Sequence, residues 1–185
     1  MKHIGTQTIE TERLILRRFM PQDAHAAFRN WCSRDEVTKF LRWPTHLSED
    51  VTLDTINDWV SHYDDPAYYQ WAIVLKEINQ PIGSIAVVDR DDRCELVEIG
   101  YCIGDIWWHR GIMTEVLSAV IRFFFCEVGV NRVEARHDVN NPHSGDVMKK
   151  CGMQFEGLIR RSDWNNQGVA DMCIYGLLKR EYCAK

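Results

Sequence analysis

Apolar positions follow two different periods along this chain, and the change from one to the other marks out its elements. The run Thr11-Glu12-Arg13-Leu14-Ile15-Leu16-Arg17-Arg18-Phe19 is rich in β-formers and reads as a short strand. Pro21 and Asp23 open a helical stretch in which Ala24, Ala27, Phe28 and Trp31 share one face. A second helical piece, 36–41, stops before Trp43-Pro44, because the residue preceding a proline is pushed out of the α region. Ser48 then reads as an N-cap with Glu49 and Asp50 in the first turn. The helix it starts carries Leu53, Ile56, Trp59, Val60 and Tyr63 and ends near 64–66.

From Tyr69 the period shortens to two. Trp71, Ile73 and Leu75 alternate, and the turn 76–80 leads into 81–88, which together predict a hairpin. A charged turn at 89–93 precedes a strand over 95–106. Met113, Val116, Leu117, Val120, Ile121, Phe124, Phe125 and Val128 then repeat at helical steps, and Gly129 stops them. A strand over 130–139 is broken by Asn140-Asn141-Pro142, and Ser144 is placed to cap a short helix carrying Val147, Met148 and Lys150 up to Gly152. Two last strands, 154–163 and 169–178, flank the turn Asn165-Asn166-Gln167-Gly168. This order predicts one mixed α/β domain over residues 10–180, with a largely antiparallel seven-stranded sheet flanked by helices.

The junction between the 95–106 strand and the longest helix is Trp107-Trp108-His109-Arg110-Gly111-Ile112-Met113-Thr114-Glu115. A strand-glycine-helix turn directs the free N–H groups of a helix start at one point, where the helix dipole also favours an anion. A pyrophosphate suits such a place, although many turns of this kind bind nothing.

Composition narrows the classes. At 185 residues, 45% hydrophobic and 26% charged, the chain is globular in kind and long enough to bury a core. No apolar run approaches the ~20 residues that span a bilayer, and the first residues lack the apolar core of a signal peptide, so a cytoplasmic location is expected. Seven cysteines without a C-x-x-C pair, and histidines without metal spacing, support neither a disulfide framework nor a metal site. A formal net charge of −5 argues against nucleic acid as partner and leaves room for a cationic substrate.

Four segments then fall in order: Gly83-Ser84-Ile85; Val97-Glu98-Ile99-Gly100-Tyr101-Cys102-Ile103-Gly104; Trp108-His109-Arg110-Gly111-Ile112-Met113-Thr114-Glu115; and Asn141-Pro142-His143-Ser144 with Val147 through Gly152. Together they resemble the GNAT superfamily of N-acetyltransferases, and within it the branch of ribosomal-protein alanine and small-amine acetyltransferases, the RimJ/RimL type. The resemblance runs from Thr11 to Leu178. Trp108 stands where the superfamily has Gln or Arg, Met113 where it has Gly or Ala, and Met153 where it usually has Phe.

The resemblance implies acetyl-coenzyme A as donor and a primary amine as acceptor, either a protein N-terminal α-amine or a small molecule. It implies a pantetheine arm between the strand of Tyr101, Cys102 and Ile103 and the strand of Glu134-Ala135-Arg136. It places the pyrophosphate on the amides of Trp108, His109, Arg110, Gly111, Ile112, Met113 and Thr114, Asn141 against the pantetheine, Ser144 as proton donor to the leaving sulfur, and Glu98 as base or amine-orienting carboxylate.

Residue by residue, other readings stand beside these. Glu98 alternates with Val97 and Ile99 as an outward-facing strand residue would. Ser144 and Asn141 are ordinary capping and turn residues. Tyr101 is either a rival proton donor or a packed strand tyrosine. Cys102, with no base beside it, reads as packing more than as a covalent relay. A peptide α-amine, with a pKa near ~8, needs only a modest base such as a carboxylate acting through water. The acceptor would be recognised by the early helices, the Trp43-Pro44 loop and the hairpin at 165–168, with Trp31, Trp43, Trp59 and Tyr68 as pocket or core and Asp50, Asp64 and Asp65 as attracting or merely solvated charges. The expected activity is therefore acetyl transfer to an amine by a monomer or homodimer. A non-catalytic acyl-coenzyme A-binding module on the same fold is the alternative.

Overall fold

The computed structural model describes residues 1–184. Two short strands, β1 (Ile9–Glu10) and β2 (Leu14–Arg17), precede three helices. These are α1 (Ala24–Ala27), which widens into a π-helical turn over Phe28–Cys32, then α2 (Asp35–Thr38) and α3 (Glu49–Ser61). The strands β3 (Gln70–Leu75), β4 (Gln80–Asp91) and β5 (Leu96–Ile103) form a meander. After them come α4 (Ile112–Phe123), continued by a π-helical turn over Phe124–Val128, then β6 (Arg132–Asp138) and α5 (Pro142–Lys150). The hairpin of β7 (Gln154–Asn165) and β8 (Gly168–Leu178) and the short α6 (Lys179–Cys183) complete the order.

Among the described residues the sheet has eight strands in the order β1-β2-β3-β4-β5-β6-β8-β7, and only β5 and β6 run parallel. The eighth strand beyond the expected seven is β1, whose two residues pair as Ile9↔Leu16 and Glu10↔Ile15 and are too few to show a period. Ser48 caps α3 as expected, accepting from Val51 N–H, and Gly129 ends the helical run in a left-handed conformation, φ 81°.

Among the boundaries that differ from the pattern reading, α2 ends at Thr38 and α3 at Ser61, each about a turn early, and three lie at strand ends. The β4–β5 ladder continues to Asp91↔Leu96, so Asp89 and Arg90 lie in the strand and the turn falls beyond them. At the exposed end of a hairpin both faces are wet, and loss of alternation there does not mark the strand end. At its other end β5 stops at Ile103, and Asp105–Trp107 form a 3₁₀ turn that the apolar run had concealed. The predicted first strand shrinks to Leu14–Arg17.

Core residues cover both faces of the sheet. On one, Val97, Ile99, Ile103, Val133 and Ala135 pack with the apolar stripe of α4, Val116, Leu117, Val120 and Ile121. On the other, Ala72 and Val74 pack with Ala27, Trp31 and Ile56 from the early helices. No helix of the described residues is long and apolar enough to cross a membrane.

Candidate active site

The parallel ladder between β5 and β6 is short: Leu96↔Arg132, Val97↔Val133 and Glu98↔Glu134. Beyond Glu98, β5 stays paired to β4 as far as Ile103↔Gly83, and β6 stays paired to β8 as far as Asp138↔Met172. The two strands therefore part at Glu98 with their facing backbone edges unpaired to each other. A cavity of about 760 Å³ occupies the opening, and Glu98, Tyr101, Cys102, Ile103, the whole loop 108–114, Asn141 and Ser144 line it. Gly83 serves this wall by absence of a side chain: a Cβ there would lie 2.3 Å from the Cys102 carbonyl oxygen.

At one end of the cavity the chain reverses into α4. His109 and Gly111 both take left-handed conformations, φ 59° and 71°. Trp108 N–H, expected at the phosphate, is instead taken by the Asp105 carbonyl at 3.1 Å in the 3₁₀ turn, and the first intrahelical bond, Glu115 N–H to Gly111 O at 3.1 Å, leaves the amides of 109–114 to an outside acceptor. The loop is braced from the turn between β1 and β2: Glu115 accepts from Thr11 Oγ1 at 2.6 Å and from Arg13 Nε at 2.7 Å, and Arg13 Nη1 donates to the Arg110 carbonyl at 3.0 Å. Two of the three departures from the superfamily pattern have a structural use in this loop. Trp108 Nε1 donates to the Ile103 carbonyl at 2.8 Å, tying the loop to the strand end, and Met113 is 8% exposed within the α4 core. His109 also meets His143 of α5 edge to face, ring centroids 4.9 Å apart.

Ser144 does not cap α5. The helix begins at Pro142 with Asn141 in the cap position, and no side chain caps it. Proline needs no N–H partner at a helix start, which removes one of the orphan donors a cap would serve. Ser144 Oγ donates instead to Tyr101 Oη at 3.0 Å, and Tyr101 Oη donates to the Ser144 carbonyl at 3.0 Å. Burial holds the Tyr101 phenol well above its ordinary pKa, so it keeps its proton. Cys102 is held above the ordinary thiol range by burial, with Ser84 Oγ at 3.4 Å. A protonated thiol without an adjacent base does not suit a covalent relay.

Glu98 is not a solvated strand-edge carboxylate. It is 8% exposed, and Arg136 Nε lies 3.1 Å from its Oε2. Burial pushes its carboxyl above the ordinary glutamate range; Arg136 pulls the other way and Glu134 adds to the rise. Arg136 also donates to Glu134 Oε1 at 3.0 and 2.9 Å, and Arg132 donates to Glu134 Oε2 at 2.7 Å. Strand alternation puts this charged set on the face opposite Tyr101, Val133 and Ala135.

On the Glu98 face the cavity is walled by Phe40, Leu41, Arg42, Trp43 and Trp59 from the early part of the chain and by Asp163, Trp164 and Met172 from the β7–β8 hairpin. Of the tryptophans considered from sequence, Trp31 is fully buried core while Trp43 and Trp59 reach the cavity. Asp50, Asp64 and Asp65 are exposed and do not line it. Pattern reading passed over Arg136, although its signal was present: Arg132, Glu134, Arg136 and Asp138 alternate with Val133 and Ala135.

A sheet parted beside a cradle of unclaimed helix amides defines a class of proteins that hold a long phosphorylated donor through the sheet and present its reactive end to a second substrate. Residues 13–154 match the family model described as Acetyltransferase (GNAT) domain, and the chain belongs to that family. The uncharacterized N-acetyltransferase YoaA of Bacillus subtilis (strain 168) is 30% identical over 171 residues, 92% of this chain and 96% of that protein. The ribosomal-protein-serine acetyltransferase of Escherichia coli (strain K12) is 26% identical over 173 residues, 92% of this chain and 96% of that one. A solved RimL ribosomal L7/L12 α-N-protein acetyltransferase in complex with coenzyme A shares the fold, with TM-score 0.82 at 18% identity over 93% of this chain and 98% of that chain.

The chain is thus an N-acetyltransferase that uses acetyl-coenzyme A. Its residues fit that donor: the unclaimed amides before Glu115 and the basic His109 and Arg110 suit phosphates, and the unpaired edges of β5 and β6 suit an amide-bearing arm.

Proposed function

We propose that the chain, as one domain over residues 10–180, transfers the acetyl group to a primary α-amine, that of a protein N-terminus, with Glu98 as general base. The observation that carries this reading is a buried, arginine-held carboxylate at the point where the sheet parts. A base must stand within reach of the amine, and its affinity for protons should approach the working pH. Burial moves Glu98 in that direction.

Magnitudes favour the α-amine. Deprotonating an amine of pKa ~8 at pH 7 costs about 1.4 kcal/mol, whereas a lysine of pKa ~10.4 costs about 4.6. A carboxylate, directly or through one water, supplies the former more readily. Names carried by the relatives agree: the Escherichia coli (strain K12) proteins are a ribosomal-protein-serine acetyltransferase and a ribosomal protein uS5-alanine N-acetyltransferase. Such an acceptor puts the reaction in the cytosol.

In this reading the backbone amides of 109–114 bind the donor's pyrophosphate, with His109 and Arg110 beside it, while Trp108 anchors the loop through its indole. Tyr101, Cys102, Ile103 and Asn141 line the path of the pantetheine arm. Ser144 and Tyr101, hydrogen-bonded on the face opposite Glu98, hold a proton for the leaving sulfur. Arg136 keeps the Glu98 carboxylate oriented while Glu134 occupies the rest of the guanidinium.

Release of thiol from acetyl-coenzyme A, measured across α-amino peptides, lysine peptides, polyamines and aminoglycosides, tests the proposal. The expected order puts α-amino peptides first in kcat/KM. A leading aminoglycoside or polyamine would overturn it.

A further inference from the structure

The loop after α2 and the tip of the β7–β8 hairpin are far apart in sequence, yet they are tied together across the acceptor half of the cavity. Asn166 makes the tie. Its Nδ2 donates to the Thr38 carbonyl at 2.9 Å and to the Trp43 carbonyl at 2.8 Å, and its backbone N–H donates to the Leu41 carbonyl at 3.2 Å. Beside it, Arg42 forms an ion pair with Asp163.

Both partners in the tie are held from behind. Thr45 Oγ1 donates to Asp35 at 2.6 Å and sits 2.6 Å from Thr38 Oγ1, lacing the loop to α2. Asn165 Nδ2 donates to Asp138 at 2.7 Å, fixing the hairpin to β6. Phe40, Leu41, Arg42 and Trp43 on one side and Asp163 and Trp164 on the other line the cavity beneath. An acceptor reaching Glu98 passes a mouth whose two lips cannot separate unless these bonds break.

We propose that the Asn166 tie is the size filter of the acceptor site: it admits an amine carried on a slender chain with a small first side chain and shuts out one flanked by a bulky group. This rests on the α-amine reading above and adds to it a residue that sets selectivity without touching the reacting atoms. Serine and alanine peptides fall within the filter; aromatic N-termini fall outside it.

The test uses the full chain, acetyl-coenzyme A and two hexapeptides identical except for serine or tryptophan at the first position. Asn166→Ala removes the side-chain bonds in a turn where Gly168, φ 104°, and not Asn166, takes the left-handed conformation, so the turn tolerates it. Asn166→Asp removes the donors while keeping the shape. In both variants, which lose two side-chain hydrogen bonds, the kcat/KM ratio of the tryptophan to the serine peptide should rise at least about tenfold, the weight of one net hydrogen bond. Hydrogen exchange over 38–45 should quicken at the same time. A ratio that stays at the wild-type value, with or without faster exchange, overturns the filter while leaving α-amine transfer intact. Wild-type protein that turns over neither peptide overturns the α-amine reading and the filter with it.

Discussion

Replacing Glu98 by glutamine keeps the shape of the side chain and removes its basicity. Arg136 is not stranded, because Glu134 stays at 2.9 Å from its Nη2, so the local fold should persist. General-base help is typically about 10²- to 10⁴-fold. The low end is expected at pH 7, since about a tenth of an α-amine of pKa ~8 is already neutral there. Two ionisations shape the wild-type profile, the carboxyl and the amine. As pH falls through the raised value of Glu98, log kcat/KM should steepen from a slope of about one to about two; in Glu98→Gln it should stay near one. Linkage gives an independent sign. A carboxyl whose folded pKa is raised by burial lends stability that is complete below its unfolded value and is lost as pH rises through the folded one. At neutral pH the charged Glu98 is therefore no asset, and the thermal midpoint of Glu98→Gln should not fall. Steady-state kinetics from pH 5 to pH 9, with calorimetric titration of coenzyme A as control, provide the assay. Unchanged turnover, or turnover lost together with coenzyme binding, would refute the role.

Two further predictions concern the donor side. Trp108→Phe keeps an aromatic ring but loses the bond to the Ile103 carbonyl; at about 0.5–1.5 kcal/mol for one hydrogen bond, the Kd of coenzyme A should weaken about 2- to 13-fold by titration calorimetry. An unchanged Kd would show that the indole does not organise the loop. Tyr101→Phe and Ser144→Ala should each lower kcat by about tenfold, and the double variant should lose little more than the worse single one, because the two hydroxyls bond to each other. Fully additive losses would mean separate roles, and an unfolding midpoint of Ser144→Ala well below wild type would mean that the serine supports α5 after all.

Most elements could be read from sequence because their faces differ so plainly in polarity. The stripe of α4 and the alternation of β3 each follow from one buried face, and Ser48 and Gly129 act at the helix ends by local chemistry. Boundaries failed where that difference fades. At Asp89 and Arg90 both faces of the hairpin are wet, and over 104–106 an apolar run hides a 3₁₀ turn. Candidate site residues were legible wherever backbone geometry imposes residue type, as at Gly111 and Asn141-Pro142. What stayed hidden depends on distant partners. Ser144 looks like a cap until Tyr101, 43 positions away, is seen to accept its proton. Arg136 reads as one more polar residue of an alternating strand, and only the pairing of Glu98 with Glu134, two positions before it on β6, brings it to Glu98. Asn166 is an ordinary turn residue by every local rule, and only the fold brings it to Thr38, Leu41 and Trp43.

The central claim is transfer of acetyl to an α-amine, and one product analysis tests it most directly. A peptide with an N-terminal serine and a single internal lysine is incubated with the protein and acetyl-coenzyme A, and fragment masses locate the added group. The account predicts acetyl on the serine nitrogen, formed about a hundredfold more slowly at pH 7 when Glu98→Gln replaces the wild type. Acetyl on the lysine side chain, or equal labelling of both amines, would contradict it.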